Sequence, residues 1–173
     1  MSNCTSLNAA SANNFQLVIP KLPHTESLDE SREFILNVYG TILPGVSLDA
    51  EDHHWQGWAS KRLDGKMNFT DVTMNFSVNE KFSNWITLFD WMSFINNNKD
   101  VMSGHPREYT VDAFLLILNN FGNTILRCKY VNLVPIDIDA VTLSFREGEP
   151  FLESGCTFTY DRFEIERDNF PLC

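Results

Sequence analysis

The stretch Val72–Asn98, VTMNFSVNEKFSNWITLFDWMSFINNN, decides the fold. It opens with apolar Val72, Met74, Phe76 and Val78 at every second position, the period of a strand with one buried face. From Phe82 the period becomes helical. At about 100° per residue, Phe82, Trp85, Ile86, Leu88, Phe89, Trp91, Met92 and Ile95 cover an arc of roughly 220°, whereas packing on one sheet needs little more than about 100°. Phe94 adds to the excess, because it falls among Ser83, Asn84, Thr87, Asp90 and Asn97 on the polar side. Either loops of the same chain bury the helix deeply, or the surplus face meets a neighbouring subunit. The second reading points to assembly rather than catalysis. It makes Leu88, Trp91, Phe94 and Ile95 candidate subunit-interface residues.

Working backwards, Lys66–Val78 reads as a long strand whose apolar parity switches near Asp71, the mark of a bulge. Trp55–Ala59 reads as a further strand, in which Trp55 and Trp58 face opposite sides. One of them is then free to be an exposed anchor, and Trp58 joins the interface candidates. Leu43-Pro44-Gly45 is a turn, Phe34–Tyr39 a strand, and 21–33 an acidic surface loop. Asn14–Ile19 is the first strand, ended by Pro20.

Forwards, the helix begins at an Asn79 cap or a Ser77/Glu80 capping box and ends at Asn96–Asn98. A loop through Gly104 and Pro106 leads to strands Tyr109–Leu118 and Thr124–Val134, joined by a hairpin turn at 119–123. Val141–Phe145 and Gly155–Glu166 are the last strands, with an acidic turn at 146–150 between them. The final strand switches parity as well, from Cys156, Phe158 and Tyr160 to Phe163 and Ile165. The pattern predicts a mainly β fold: an antiparallel sandwich or barrel with one flanking helix. A flexible arm at 1–13, a single β domain over 14–167 and a tail at 168–173 complete the expected organisation.

A formal charge of −10 over 173 residues argues against gripping nucleic acid through its phosphates, which needs clustered Lys and Arg. The densest basic pair is Lys61-Arg62. Cys4, Cys128, Cys156 and Cys173 have no CxxC spacing, so neither a zinc site nor a disulfide framework is expected. His53 and His54 are adjacent and point to opposite faces of a strand. Cys128, the one candidate nucleophile, lacks the surroundings of an activated thiol, and no glycine-rich phosphate loop is present. Glu147 and Glu149 belong to an acidic turn. The sequence predicts no enzyme, no metal and no cofactor. The polar N-terminus has no signal-peptide pattern, and the longest apolar run, Ala113–Leu118, is too short to span a bilayer. A soluble protein made in the cytoplasm is the expectation.

Taken in order, these landmarks resemble the tail tube proteins of contractile-tailed bacteriophages of the T-even kind. The resemblance runs from Asn14 to Ile165. It rests on NFQLVI at 14–19, Leu43-Pro44-Gly45, and Phe89-Asp90-Trp91 in the helix. It also rests on Gly104, Pro106, Glu108 and Tyr109 in SGHPREY, and on the Pro-containing junction NLVPIDIDAVTLSF at 132–145. The resemblance implies a fold like that of the secreted tube protein Hcp. It also implies homohexameric rings stacked into a tube inside a sheath, with the virion tail as its place. The partners implied are further copies of the chain, the tail sheath protein, and baseplate and tail terminator proteins. Genomic DNA would pass through the lumen without specific binding, and no membrane is involved. Strands 109–118 and 124–134 are the expected lumen lining. The loop at 21–33 and the tail at 168–173 depart from the T-even pattern. The main tube is the favoured position, because the chain is a bare domain without an added docking module. A tube initiator or terminator ring is the alternative within the same tail. A monomeric β-barrel that binds a ligand is the alternative of a different class.

Overall fold

The computed structural model describes residues 13–20, 22, 37–55, 57–97, 109–144 and 151–167. They form nine strands and one helix: β1 (Phe15–Val18), β2 (Val38–Thr41), β3 (Val46–Trp55), β4 (Trp58–Phe69), β5 (Val72–Ser77), α1 (Ser83–Asn97), β6 (Val111–Leu118), β7 (Thr124–Ile138), β8 (Glu153–Thr159) and β9 (Arg162–Arg167). The arm at 1–12, the loop at 23–36, the turn at 145–150 and the tail at 168–173 lie outside the described residues.

All pairings are antiparallel, and β7 organises them. Its N-terminal half lies between β6 and β9, and β1 extends that group beyond β6. From Val134 onward β7 instead pairs with β8, which continues to β5 and β2. The sheet thus has two halves that share one long strand. The first is β1-β6-β7-β9 and the second is β7-β8-β5-β2. Asn132 sits at the hand-over with φ 57°, a left-handed conformation that is uncommon outside glycine and several-fold enriched for Asn. Three neighbours pin it. Its N–H donates to Asp112 Oδ1 (3.2 Å), its Nδ2 donates to Asp161 Oδ2, and its Oδ1 accepts from Thr110 Oγ1 (3.2 Å).

The expected antiparallel sandwich with a flanking helix is therefore present, and one core joins its parts. Leu17, Ala113, Leu115, Cys128 and Tyr130 come from the first half, Val72, Met74, Phe76, Cys156 and Phe158 from the second, and Leu88 and Trp91 from α1. Trp91 lies 6.2 Å from the Phe158 ring, and its Nε1–H donates to the Tyr109 carbonyl at 2.8 Å.

Several local expectations change. Both parity switches are places where the chain leaves one sheet for another. β4 ends at Phe69 and β5 starts at Val72; β8 ends at Thr159 and β9 starts at Arg162. Each new strand buries the opposite parity because it faces a different neighbour. The helix starts at Ser83, one turn later than a Ser77/Glu80 box requires, and Ser77 belongs to β5. Asn79 closes a tight turn through its carbonyl, which accepts from the Phe82 N–H at 2.9 Å, and Phe82 has φ 56°. Buried Asn84 ties strand to helix, donating from Nδ2 to the Ser77 carbonyl at 2.8 Å. Val141–Ser144 is not a strand, and Leu143 there is 73% exposed. Trp55–Ala59 is the end of a long hairpin, with Gly57 at φ 85° in its turn.

Candidate assembly surface

β3 and β4 form a two-stranded sheet of their own. Their register fixes which side chains share a face: Val46 opposes Phe69, Leu48 opposes Met67 and Ala50 opposes Leu63. One face of the basal half is thus apolar. Ser47, Asp49, Glu51, Arg62, Lys66 and Asn68 occupy the other. The register also sets oppositely charged residues across from each other, Glu51 from Arg62 and Asp52 from Lys61.

Nothing described in this chain covers the apolar face. Val46, Leu48, Leu63 and Met67 are 50%, 46%, 65% and 61% exposed. An isolated hairpin is at best marginally stable in water, and contiguous exposed apolar area marks an interaction site. Among the described residues, its base is held by the body. Phe69 packs on Phe163 and Tyr160 at 5.3 and 6.2 Å, and the Tyr160 hydroxyl donates to the Thr70 carbonyl at 2.7 Å. Burial and the nearby Asp71 charge push the Tyr160 phenol up to about 12.

The sequence-derived interface residues separate into three groups. Trp58, at the hairpin end, is 82% exposed and fits an anchor. Leu88 and Trp91 are 0% and 1% exposed; the core of their own chain already covers them, so they have no area left to offer a partner. Phe94 and Ile95 are half-buried, and Ile95 packs on the core. The apolar residues that α1 turns to solvent are Ile86 and Phe89, with Trp85 stacked on Phe89 at 5.6 Å. The sequence reading missed the hairpin face. Its signal was present as Val46, Leu48 and Ala50 on one parity and Leu63, Met67 and Phe69 on one parity, diluted by seven charged residues between them.

The outward faces of the two half-sheets differ in charge. On the first half Arg127 meets Glu166 at 3.3 Å, Lys129 meets Asp112 at 3.0 Å and Arg162 meets Glu164 at 2.9 Å. On the second half, Thr73, Asn75, Thr157, Asp137 and Glu153 face outward, and the Asp139 carboxylate lies over Gly155, in the space a Cβ would need. Among the described residues that face carries no Lys or Arg.

Burial pushes the Cys128 thiol up, and burial with Asp137 and Asp139 pushes Cys156 further in the same direction, so both stay protonated. His53 and His54 are exposed on opposite faces of β3, and no described group of three His, Cys, Asp or Glu side chains is placed to hold a metal ion.

Both described thiols are buried, and the hairpin turns an apolar face to solvent. Residues 10–166 match the phage tail tube protein family, and the chain belongs to it. It is a structural component of the virion tail, not an enzyme. Over 170 residues it is 22% identical to the tail tube terminator protein of Enterobacteria phage T4, covering 93% of this chain and 91% of the relative. Its fold is similar to that of the anti-feeding prophage tube-terminating cap (TM-score 0.66, 12% identity, 96% and 97% of the two chains). It is equally similar to a chain in the sheath/tube terminator of the extracellular contractile injection system PVC in its extended state (TM-score 0.66, 14% identity, 92% and 97%).

Proposed function

We propose that this protein forms a homohexameric ring that terminates the tail tube, and that the β3–β4 hairpin joins one copy to the next. The apolar hairpin face carries this reading: a surface of Val46, Leu48, Leu63 and Met67 left in water gains stability by being covered, at about 25 cal/mol per Å². Acidic β3 and basic β4 suit contact with copies on both sides, as in a head-to-tail ring. The T4 relative's description as a tail tube terminator favours the end of the tube over its repeating body, the position preferred from sequence alone. Partners in this reading are the last ring of the tube and the tail sheath protein, with genomic DNA passing through the ring. Assembly takes place in the host cytoplasm.

Light scattering across a concentration series tests it. A particle of about 120 kDa, six times the 19.9 kDa chain, is expected for the wild type, and monomer for Leu48→Asp/Met67→Asp. A wild type that stays monomeric at every concentration would support the ligand-binding barrel instead. A double variant that still forms the particle would move the interface elsewhere.

A further inference from the structure

Resting on the ring reading, we infer that the apolar hairpin face of one copy seats on the exposed stripe of α1 in the next, with Phe82, Trp85, Ile86 and Phe89 as the receiving surface. The partner of this stripe is a second copy of the chain, met head to tail.

Closure of a ring asks for such a surface. A head-to-tail ring joins two different patches, so each copy carries both halves of the contact. The hairpin supplies one half. The other has to be apolar, exposed and set apart from the hairpin of its own copy. α1 has a patch of that kind: Phe82, Trp85, Ile86 and Phe89 stand at i, i+3, i+4 and i+7, along one stripe. Ile86 and Phe89 are 44% and 51% exposed, and the Trp85 ring stacks on Phe89. Phe121, Leu143 and Phe151 are more exposed, but they lie in turns or irregular chain and not on one regular face.

Placement and size agree with the pairing. β5 holds the two patches apart: the hairpin leaves the body at 70–71, before Val72, and α1 starts beyond Ser77, about 20 Å along the strand. The stripe occupies the start of α1, where Asn84 ties the helix to the Ser77 carbonyl. β3 and β4 pair with each other alone, so the hairpin face is free to meet another copy. Its apolar rows from Val46 to Ala50 run about 13 Å, and the stripe from Phe82 to Phe89 runs about 11 Å. A helix about 10 Å across covers a ribbon of two strands about 4.8 Å apart.

Trp85 adds an independent sign. The Trp91 indole N–H donates to the Tyr109 carbonyl, whereas the Trp85 indole N–H is buried and meets no acceptor. A buried donor without a partner is costly. Each strand of a two-stranded sheet has an outer edge of unpaired backbone carbonyls, and turning the Trp85 indole toward one of them in the docked hairpin gives that N–H its acceptor.

Covalent linking across the contact tests the pairing. In a Cys4→Ser/Cys173→Ser background, Leu63→Cys/Ile86→Cys puts one exposed thiol in each patch of every chain, while Cys128 and Cys156 stay buried. Treated with a short flexible bis-maleimide, this variant is expected to give a ladder on a denaturing gel that climbs to the hexamer. Each single-cysteine variant should give monomer alone. Dimers from a single-cysteine variant would show like patches meeting, and a double-cysteine chain linked only to itself would place the hairpin on its own helix; either result overturns the pairing. Rings in the background without a ladder would overturn it and leave the ring standing. No rings in the background would overturn the ring reading and this pairing with it. Ile86→Asp, which introduces no thiol, should stay monomeric with the urea midpoint of the wild type. A particle of wild-type mass from that variant would also overturn the pairing.

Discussion

The sandwich body and the β3–β4 hairpin use similar apolar residues to opposite ends. In the body, Val72, Met74, Phe76, Leu88 and Trp91 are within 1% of full burial, and their contribution is spent inside one chain. In the hairpin, Val46, Leu48, Leu63 and Met67 stay about half exposed or more. The body therefore sets whether the chain folds, and in the proposed ring the hairpin sets what it joins. Substitutions in the two regions should separate stability from assembly.

The largest effect is expected at Trp91→Ala. Removing a fully buried indole and its hydrogen bond to Tyr109 should cost about 3–5 kcal/mol, read as a lower urea midpoint. Assembly fails in that variant only because the monomer is lost. Leu63→Asp should do the reverse, leaving the monomer's urea midpoint within about 0.5 kcal/mol of wild type while abolishing the higher-mass particle. A large loss of monomer stability at Leu63 would erase the distinction between the regions.

Asn132→Ala is next in size. It removes side-chain bonds at a residue with φ 57° and should cost about 2 kcal/mol. Asn132→Gly should lose less, because glycine accepts that conformation. Equal losses for the two would show that the hydrogen bonds, and not the backbone, hold the hand-over between the half-sheets.

The smallest effect tests the junction between the regions. The Tyr160 phenol is raised from 10.0 to about 12 by burial first and by Asp71 second. A raised folded-state value means that the neutral phenol's contribution is complete below pH 10 and fades as pH climbs toward 12. Tyr160→Phe should lose about 1 kcal/mol at pH 7 with the bond to Thr70. It should also flatten the alkaline part of the stability curve. A curve as steep as the wild type's between pH 10 and 12 would assign that slope to Tyr130 and the buried Cys128 and Cys156 thiols, all of which burial raises.

The body was largely legible in the sequence. The helix from Ser83 and the β6–β7 pair declare themselves through dense apolar residues at helical spacing in the one and in strand-length runs bounded by a turn in the other. The two parity switches were visible, but a single chain cannot show whether a switch is a bulge or a change of sheet, since both reverse the buried face. The over-wide helix was visible too. Its excess belongs to a core that meets α1 from more than one side, taking up Leu88 and Trp91 and leaving Ile86 and Phe89 outside. The hairpin was not legible. Its apolar positions alternate with Asp49, Glu51, Arg62 and Lys66, and burial in the chain itself does not enforce the pattern. Only the register that sets Leu48 beside Met67 turns scattered residues into a face. The place in the tail was legible as a family but not as a tier, because ring subunits at the end and in the body of a tube share one fold.

Negative-stain electron microscopy of the purified chain tests the central claim most directly. Discrete hexameric rings with an open centre, unstacked at every concentration, are the expected result. Hollow filaments of indefinite length would contradict the terminator position, and monomers alone would contradict assembly through the hairpin.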